Sequence, residues 1–368
     1  MSILARQHAG FAKELDALGA TLREGGPFVV TGGGTSRIGL AEGTALHAPK
    51  GVWDYDPSAL TLTAAAGTDL AEIEALLASE NQRLAFEPPR LGALLGREGT
   101  PTLGGVVAGN LSGPRRVGVG ACRDFCLGVA FLDGQGTWVK NGGRVMKNVT
   151  GLDLVKLMAG SHGTLGLICE VSLKVQPIPE VTLTLTLDGL SDAQAVAAMS
   201  AALGTPFDVT GAVYLSGQTH LRLEGIASSA RYRMAELQKV LAPFGTGVVS
   251  EDVALWDGVR DLTPFADRAG DVWRVAVKPS DAPAVVAASG ADAAIYDWAG
   301  ARVWLLMPVG ADLRARMSTG HATLVRAAEA DKTRLGVFPP LSPIEARLSA
   351  GLRAKFDPDM KFNRGMMG

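Results

Sequence analysis

Gly160-Ser161-His162-Gly163-Thr164-Leu165-Gly166 is the stretch whose reading decides the fold. Alone it reads as a glycine turn that runs into a strand. Its weight comes from two earlier stretches. Thr31-Gly32-Gly33-Gly34-Thr35-Ser36 follows the short apolar run Phe28-Val29-Val30, and Thr102-Leu103-Gly104-Gly105-Val106-Val107-Ala108-Gly109-Asn110 lies between the two. Glycine removes the Cβ that keeps a ligand away from the main chain, and successive free amides make a concave cradle for anions. Three such clusters in the first half of one chain predict a long, polyanionic ligand laid along the backbone.

The first cluster matches neither common phosphate loop. No Gly-Lys-Ser/Thr follows it, so it is not a Walker A loop. Its spacing also fails the GxGxxG pattern of dinucleotide folds. Its amides and the hydroxyls of Thr35 and Ser36 suit a pyrophosphate. The second cluster suits main-chain contacts to further ligand atoms, and Arg115 and Arg116 follow it closely.

Composition narrows the class. At 368 residues, 47% hydrophobic and 20% charged, the chain has the profile of a soluble globular protein of about two domains. A net charge of −2 supplies no bulk field for nucleic acid or anionic membrane. Cys122, Cys126 and Cys169 form no disulfide framework, and their spacing supports neither a zinc site nor an iron–sulfur cluster within this chain; no metal is expected. Lys13, Glu14 and Asp16 interrupt any leader-like apolar run, and no stretch approaches the ~20 apolar residues that span a bilayer. A cytoplasmic location is expected, with peripheral attachment to the inner membrane through partners as the alternative.

The spacing of Leu4, Phe11, Leu15, Leu18 and Leu22 predicts an amphipathic helix over 3–24. Strands are predicted at 60–66, 127–132, 137–140 and 165–175, and Asp133-Gly134-Gln135-Gly136 reads as a hairpin turn. Asp69 and Glu72 resemble a capping box that starts a helix to about residue 80. Residues 86–101 read as loop. Pro177 and Pro179 mark a boundary. Beyond it the pattern is strand 181–187, helix 191–203, strand 209–215, strand 219–225, helix 229–242, strand 246–250, the ferredoxin-like βαββαβ order. The order recurs with strand 272–278, helix 281–289, strands 292–298 and 301–307, helix 311–318 and strand 321–326. Ser342-Pro343-Ile344-Glu345 is a capping box, and Ile344, Leu348, Leu352 and Phe356 form the apolar stripe of the last helix. The expected class is α+β, with domains at 1–179 and 180–340 and a closing helix and tail at 341–368.

The three clusters, with Arg123-Asp124-Phe125-Cys126-Leu127-Gly128 and Lys147-Asn148-Val149-Thr150-Gly151-Leu152-Asp153-Leu154, resemble the FAD-binding domain of the vanillyl-alcohol oxidase / p-cresol methylhydroxylase type. Within that type the chain is similar to the FAD-binding subunits of glycolate oxidase. Ser112-Gly113-Pro114-Arg115-Arg116, Asp297-Trp298-Ala299-Gly300-Ala301-Arg302, Gly320-His321-Ala322-Thr323-Leu324 and the tail Phe356-Asp357-Pro358 to Asn363-Arg364-Gly365 carry that likeness. The resemblance implies two α+β subdomains gripping an extended FAD, followed by a cap with an antiparallel sheet. It implies cofactor contacts from Thr31 through Ser36, from Pro101, Thr102, Gly104, Gly105, Ala108, Gly109, Asn110, Gly113 and Arg116, and from Gly160, Ser161, Gly163, Thr164, Gly166 and Ile168. It further implies a second FAD-containing glycolate oxidase subunit, an iron–sulfur subunit and a small 2-hydroxy acid substrate.

Departures from the family pattern are informative. Thr35 stands where many relatives carry a flavin-tethering His, so the FAD is expected to be non-covalent. Larger relatives carry a His-rich cap motif; here the second half holds only His220 and His321, far apart. Candidates for a proton-moving or carboxylate-holding role are His162, His321 and Arg302, with Arg274 and Lys278 beside them. The missing motif suggests that a partner flavin subunit holds the substrate. A self-sufficient FAD oxidoreductase for another hydroxyl substrate and a non-catalytic assembly subunit remain alternatives.

Overall fold

A computed structural model describes residues 3–143 and 152–367. The run Lys147–Gly151 therefore lies outside the described residues. The chain divides into two units, the first comprising Met1–Leu111, Ala121–Ile178 and Pro340–Gly368, the second Ser112–Gly120 and Pro179–Pro339.

In the first unit the helix Ile3–Glu24 packs Phe11, Leu15 and Leu18 against a core of Leu22, Phe28, Leu46, Leu132, Leu167, Cys169 and Phe362. Gly25 ends it, its amide bonding to Thr21 O at 3.1 Å. The strands are β1 (Phe28–Val30), β2 (Thr44–Leu46), β3 (Val52–Asp56), β4 (Thr61–Ala65), β5 (Gln82–Arg83), β6 (Cys126–Leu132), β7 (Trp138–Gly142), β8 (Leu167–Lys174) and β9 (Gln176–Pro177). A five-stranded sheet runs β3-β4-β8-β6-β7, β1 pairs β2 in parallel, and β5 pairs β9. Asp133 makes the β6–β7 hairpin turn, its carboxylate accepting the amides of Gln135 and Thr137 at 2.9 and 2.8 Å.

The second unit is one eight-stranded sheet. Its strands are β10 (Val181–Asp188), β11 (Gly211–Leu215), β12 (Gln218–Gly225), β13 (Val248–Ser250), β14 (Asp271–Ala276), β15 (Ala293–Asp297), β16 (Arg302–Met307) and β17 (His321–Arg326), in the order β13-β10-β12-β11-β15-β16-β14-β17. The two βαββ copies meet where β11 pairs β15 antiparallel, Tyr214 opposite Tyr296. Alternation along the strands sends Leu183, Leu185 and Leu187, and Trp273 and Val275, into the core with the helices Asp192–Leu203, Ala227–Leu241 and Ala282–Ser289.

Several expectations are corrected. The helix expected at 311–318 is only a 3-10 turn, Arg314–Arg316. The run is too short to nucleate a helix by itself, and Arg314 instead ties the turn down through bonds to the carbonyls of Ala322, Leu335, Gly336 and Val337. Residues 86–101 include a short helix, Gly92–Leu95, and the second glycine cluster itself is helical over Leu103–Ala108. The helices Ala254–Asp261 and Glu329–Leu335 were not foreseen. In the last helix, Pro343–Phe356, the Ser342 capping box forms, but Ile344, Leu348 and Leu352 are 64, 61 and 40% exposed rather than core-facing. The inward side of that helix is Arg353 and Phe356. The tail is no separate closing piece either. Phe28 N donates to Lys361 O at 2.7 Å and Asn363 N to Phe28 O at 2.9 Å, which adds the tail to β1. Ser112–Gly120, expected within the first domain, belongs to the second unit; Arg115 there pairs with buried Glu224 at 3.3 Å.

Candidate cofactor-binding cleft

The three glycine clusters come together in the first unit around a cleft of ≈390 Å³. Thr31, Gly32 and Gly33 line it from the first loop, Thr102, Gly104, Gly105 and Ala108 from the second, and His162, Gly163, Gly166 and Ile168 from the third. An adjoining recess is lined by Gly34, Thr35, Ser36, Arg37 and Gly109.

Close backbone approach holds these loops together. A Cβ at Gly32 would lie 2.0 Å from Thr102 Oγ1, and one at Gly33 only 1.7 Å from the Thr100 carbonyl oxygen. Thr102 Oγ1 also accepts Gly105 N at 3.3 Å, starting the short helix Leu103–Ala108. The far end of that helix receives the third loop: Gly160 N donates to Val107 O at 3.1 Å and His162 N to Ala108 O at 2.9 Å. His162 accepts a φ of 51° to make that turn. Arg97 donates to the carbonyls of Gly34 and Arg37 at 3.0 and 2.5 Å, which turns carbonyl oxygens of the first loop toward its guanidinium.

Three features fit an anionic, extended ligand. Among the described residues the amides of Gly32, Gly33, Gly34, Thr35 and Ser36 donate to no other residue. Such a run of free donors is a cradle for phosphate oxygens. Lys50 also lines the cleft and supplies a positive charge, paired with Asp69 at 2.9 Å. In the third loop the Ser161 hydroxyl is buried with no partner among the described residues.

Of the other residues expected in the site, Pro101, Asn110, Gly160, Ser161 and Thr164 lie in the same loops but line neither cavity. Asn110 instead accepts Arg123 N at 3.0 Å, and Thr164 Oγ1 donates to Ser161 O at 2.7 Å. Gly113 and Arg116 belong to the second unit, where the Arg116 guanidinium stacks on Trp298 at 4.5 Å. Sequence reasoning missed His47, Lys50, Ala66, Gly67, Asp69 and Thr100 in the cleft, and Asn363 and Met366 in the recess. Only Asn363 carried a signal, as part of the tail Asn363-Arg364-Gly365.

The weaker candidates separate clearly. His162 is half-buried and lines the cleft. His321 is exposed at the start of β17. Arg302 is buried and engaged: it pairs with fully buried Asp297, donates to Ser112 O at 2.8 Å and stacks on Trp298 at 3.6 Å. Arg274 is half-buried and reaches Thr323 Oγ1 at 3.5 Å; burial, with repulsion from Arg302 and Arg116, pulls it down to about 10. Lys278 is exposed. His220 is buried with Nδ1 2.9 Å from Thr186 Oγ1, and burial pulls it down to about 4, so it is neutral at pH 7.

Comparison with known proteins agrees with this geometry. A family model described as an FAD binding domain matches residues 12–142. The chain is 36% identical over 324 residues to the glycolate oxidase subunit GlcE of Escherichia coli (strain K12), covering 86% of this chain and 85% of that protein. It is 32% identical over 134 residues to the glycolate oxidase subunit GlcD of Bacillus subtilis (strain 168), covering 36% of this chain and 27% of that one. Among solved structures it is similar to an alkyldihydroxyacetonephosphate synthase with TM-score 0.71 at 16% identity, over 95% of this chain and 74% of the other, a likeness of fold alone. No helix among the described residues is long and apolar enough to cross a membrane. FAD is the cofactor, and the free amides of the first loop, the glycine-lined walls and the Lys50 charge fit its pyrophosphate and its length. The chain belongs to the family of the glycolate oxidase subunit GlcE, FAD-binding proteins related to oxidoreductases.

Proposed function

We propose that this chain is the FAD-binding subunit of a glycolate-oxidising complex. The observation that carries the reading is its likeness to GlcE along nearly its whole length, at an identity well above the level that only fold accounts for. When bound, FAD supplies a redox centre that takes two electrons from a hydroxyl carbon. The chain's own part is to bind and orient that group. The amides of Gly32 through Ser36 would donate to the pyrophosphate oxygens, Lys50 would place a cation near them, and the loops at Thr102 and at Gly163 would flank the group. Thr35 is buried beside the recess and offers no ring nitrogen for a tether, which supports non-covalent binding.

The substrate is held on a partner flavin subunit, and an iron–sulfur subunit carries electrons onward. What supports the partner-held substrate is the state of three polar groups that do not line the cleft. His220 is neutral and bonded to Thr186, Arg302 is bound to Asp297, and His321 is exposed to solvent. Purification of the native complex tests the reading: flavin absorbance, iron content and glycolate-dependent dye reduction should travel with this chain. A complex that keeps full activity after deletion of this chain would sink the subunit role. Glycolate turnover by the isolated, FAD-loaded chain would sink the partner-held substrate.

A further inference from the structure

The carboxamide of Asn363 joins two of the loops that line the cleft. Its Oδ1 accepts the amide of Val30, the last residue before the first glycine loop, at 2.9 Å. Its Nδ2 donates to the carbonyl of His162 in the third loop at 2.8 Å. The group facing Asn363 is an N–H at Val30 and a carbonyl at His162, so one orientation of the amide satisfies both. Aspartate lacks the donor, and alanine lacks both groups. Asn363 is 1% exposed and lines the recess of the cleft. The third loop comes so close that a Cβ at Gly163 would sit 2.9 Å from Asn363 Nδ2 and 3.1 Å from Val30.

Asn363 is itself held rigidly. The fully buried Asp357 carboxylate accepts the amides of Lys361 and Phe362 at 2.8 and 2.9 Å. Arg353 donates to the Phe362 carbonyl and to Met366 O, the latter at 3.3 Å. Phe362 is fully buried beside Phe28, and Asn363 N bonds to Phe28 O. Loop one already meets loop two at Gly32 and Thr102, and loop two meets loop three at Val107 and Ala108. Asn363 supplies the third side of the ring.

We propose that Asn363 is a positioning residue for FAD: its carboxamide fixes the spacing of the first and third loops, so that the C-terminal tail is an integral part of the cofactor site. The inference rests on the reading of this cleft as the FAD site. It places a determinant of cofactor retention far outside the matched FAD-binding segment, residues 12–142.

The test uses the full chain, stripped of flavin and titrated with FAD while flavin fluorescence and visible circular dichroism are followed. Asn363→Asp keeps the acceptor for Val30 and loses the donor to His162; Asn363→Ala loses both. Val129→Ala, buried in the five-stranded sheet and lining neither cavity, is the control for general destabilisation. Both Asn363 variants should raise the FAD Kd by about tenfold or more and alter the visible circular dichroism of the FAD that still binds. Val129→Ala should lower the melting temperature of the apoprotein but leave the Kd within about threefold of the parent. An Asn363→Asp chain that binds FAD as the parent does, with unchanged dichroism, overturns the proposal; so does a control that weakens FAD equally. If Asn363→Ala does not fold, Asn363→Asp decides. A parent chain that takes up no FAD overturns the FAD reading along with the inference, whereas normal parent binding beside an indifferent Asn363→Asp overturns the inference alone.

Discussion

Asp69 Oδ1 meets Lys50 Nζ at 2.9 Å in the lining of the cleft. The helix Leu70–Ser79 that follows Asp69 receives no side-chain hydrogen bond from it. An aspartate just before an apolar-periodic run, with a Glu three residues on, is a capping signal. Here the carboxylate has been turned to a lysine instead. The first amide of the helix, Leu70 N, donates to Pro101 O at 2.8 Å, an acceptor brought in by the loop before the second glycine cluster. The pair holds the Lys50 ammonium in the lining of the glycine-rich cleft.

Lys50→Gln should therefore separate stability from binding. The pair is largely exposed, so its loss should change folding stability by less than ~0.5 kcal/mol. FAD affinity should fall about threefold to tenfold at low salt, and its salt dependence should flatten. Fluorescence titration at two ionic strengths reads both effects. Equal affinity at low salt would remove Lys50 from the binding site.

Two neighbouring glycines should behave differently. At Gly33 a Cβ would stand 1.7 Å from a backbone carbonyl oxygen, which has no flexible end to yield. Gly33→Ala should displace the first loop from Thr100, cost about 1–3 kcal/mol of stability and abolish measurable FAD uptake. At Gly34 a Cβ would meet nothing within 4 Å, and the residue has φ 73°. Gly34→Ala should cost ~1–2 kcal/mol of backbone strain while FAD still binds. Matched chemical melts and flavin titrations on the two variants check the contrast; equal loss of FAD in both would mean that the loop tolerates no change of any kind.

That the glycine clusters would meet at one cleft was legible because a missing Cβ is a property of the residue itself and permits close backbone approach. The ferredoxin-like copies were legible for the same reason, since period-two alternation in Leu183-Thr184-Leu185-Thr186-Leu187 marks one buried face wherever the strand docks. What stayed hidden depends on partners distant in sequence. Nothing near Asn363 announces Val30 or His162, and nothing near Asp69 announces Lys50. The last helix misled for a related reason: Ile344, Leu348 and Leu352 have core periodicity, yet the tail needs the other side of the helix, where Arg353 holds the carbonyls of Phe362 and Met366. Arg302 looked like a ligand-holding charge because its partner Asp297 was read only as part of a motif.

Arg302→Ala tests that last point. Asp297 is fully buried and would be left without its cation, a loss that typically costs ~3–5 kcal/mol. The double variant Asp297→Asn with Arg302→Met removes both charges and should recover much of that loss. Urea melts of the three chains read the coupling. A stable Arg302→Ala chain would return Arg302 to the set of candidate ligand-holding groups.

His220 makes the second unit sensitive to acid. Burial among β10, β11 and β12 pulls its imidazole down to about 4, an effect that Asp188 opposes, against an unfolded value near 6.5. Between those two pH values the unfolded chain binds a proton that the folded chain refuses. Stability from this group is thus complete above pH ~6.5, declines as pH falls toward 4, and is fully lost below that, a change of roughly 3 kcal/mol. His220→Gln retains a polar partner for Thr186 and has nothing to titrate, so its stability should fall less steeply over this interval. Every other ionisable group is common to the two chains and cancels in the difference. Urea midpoints of parent and variant at pH 4.5 and pH 7 give that difference. Parallel profiles would mean that the imidazole gains its proton in the folded state as readily as in water, and the burial argument for His220 would fall.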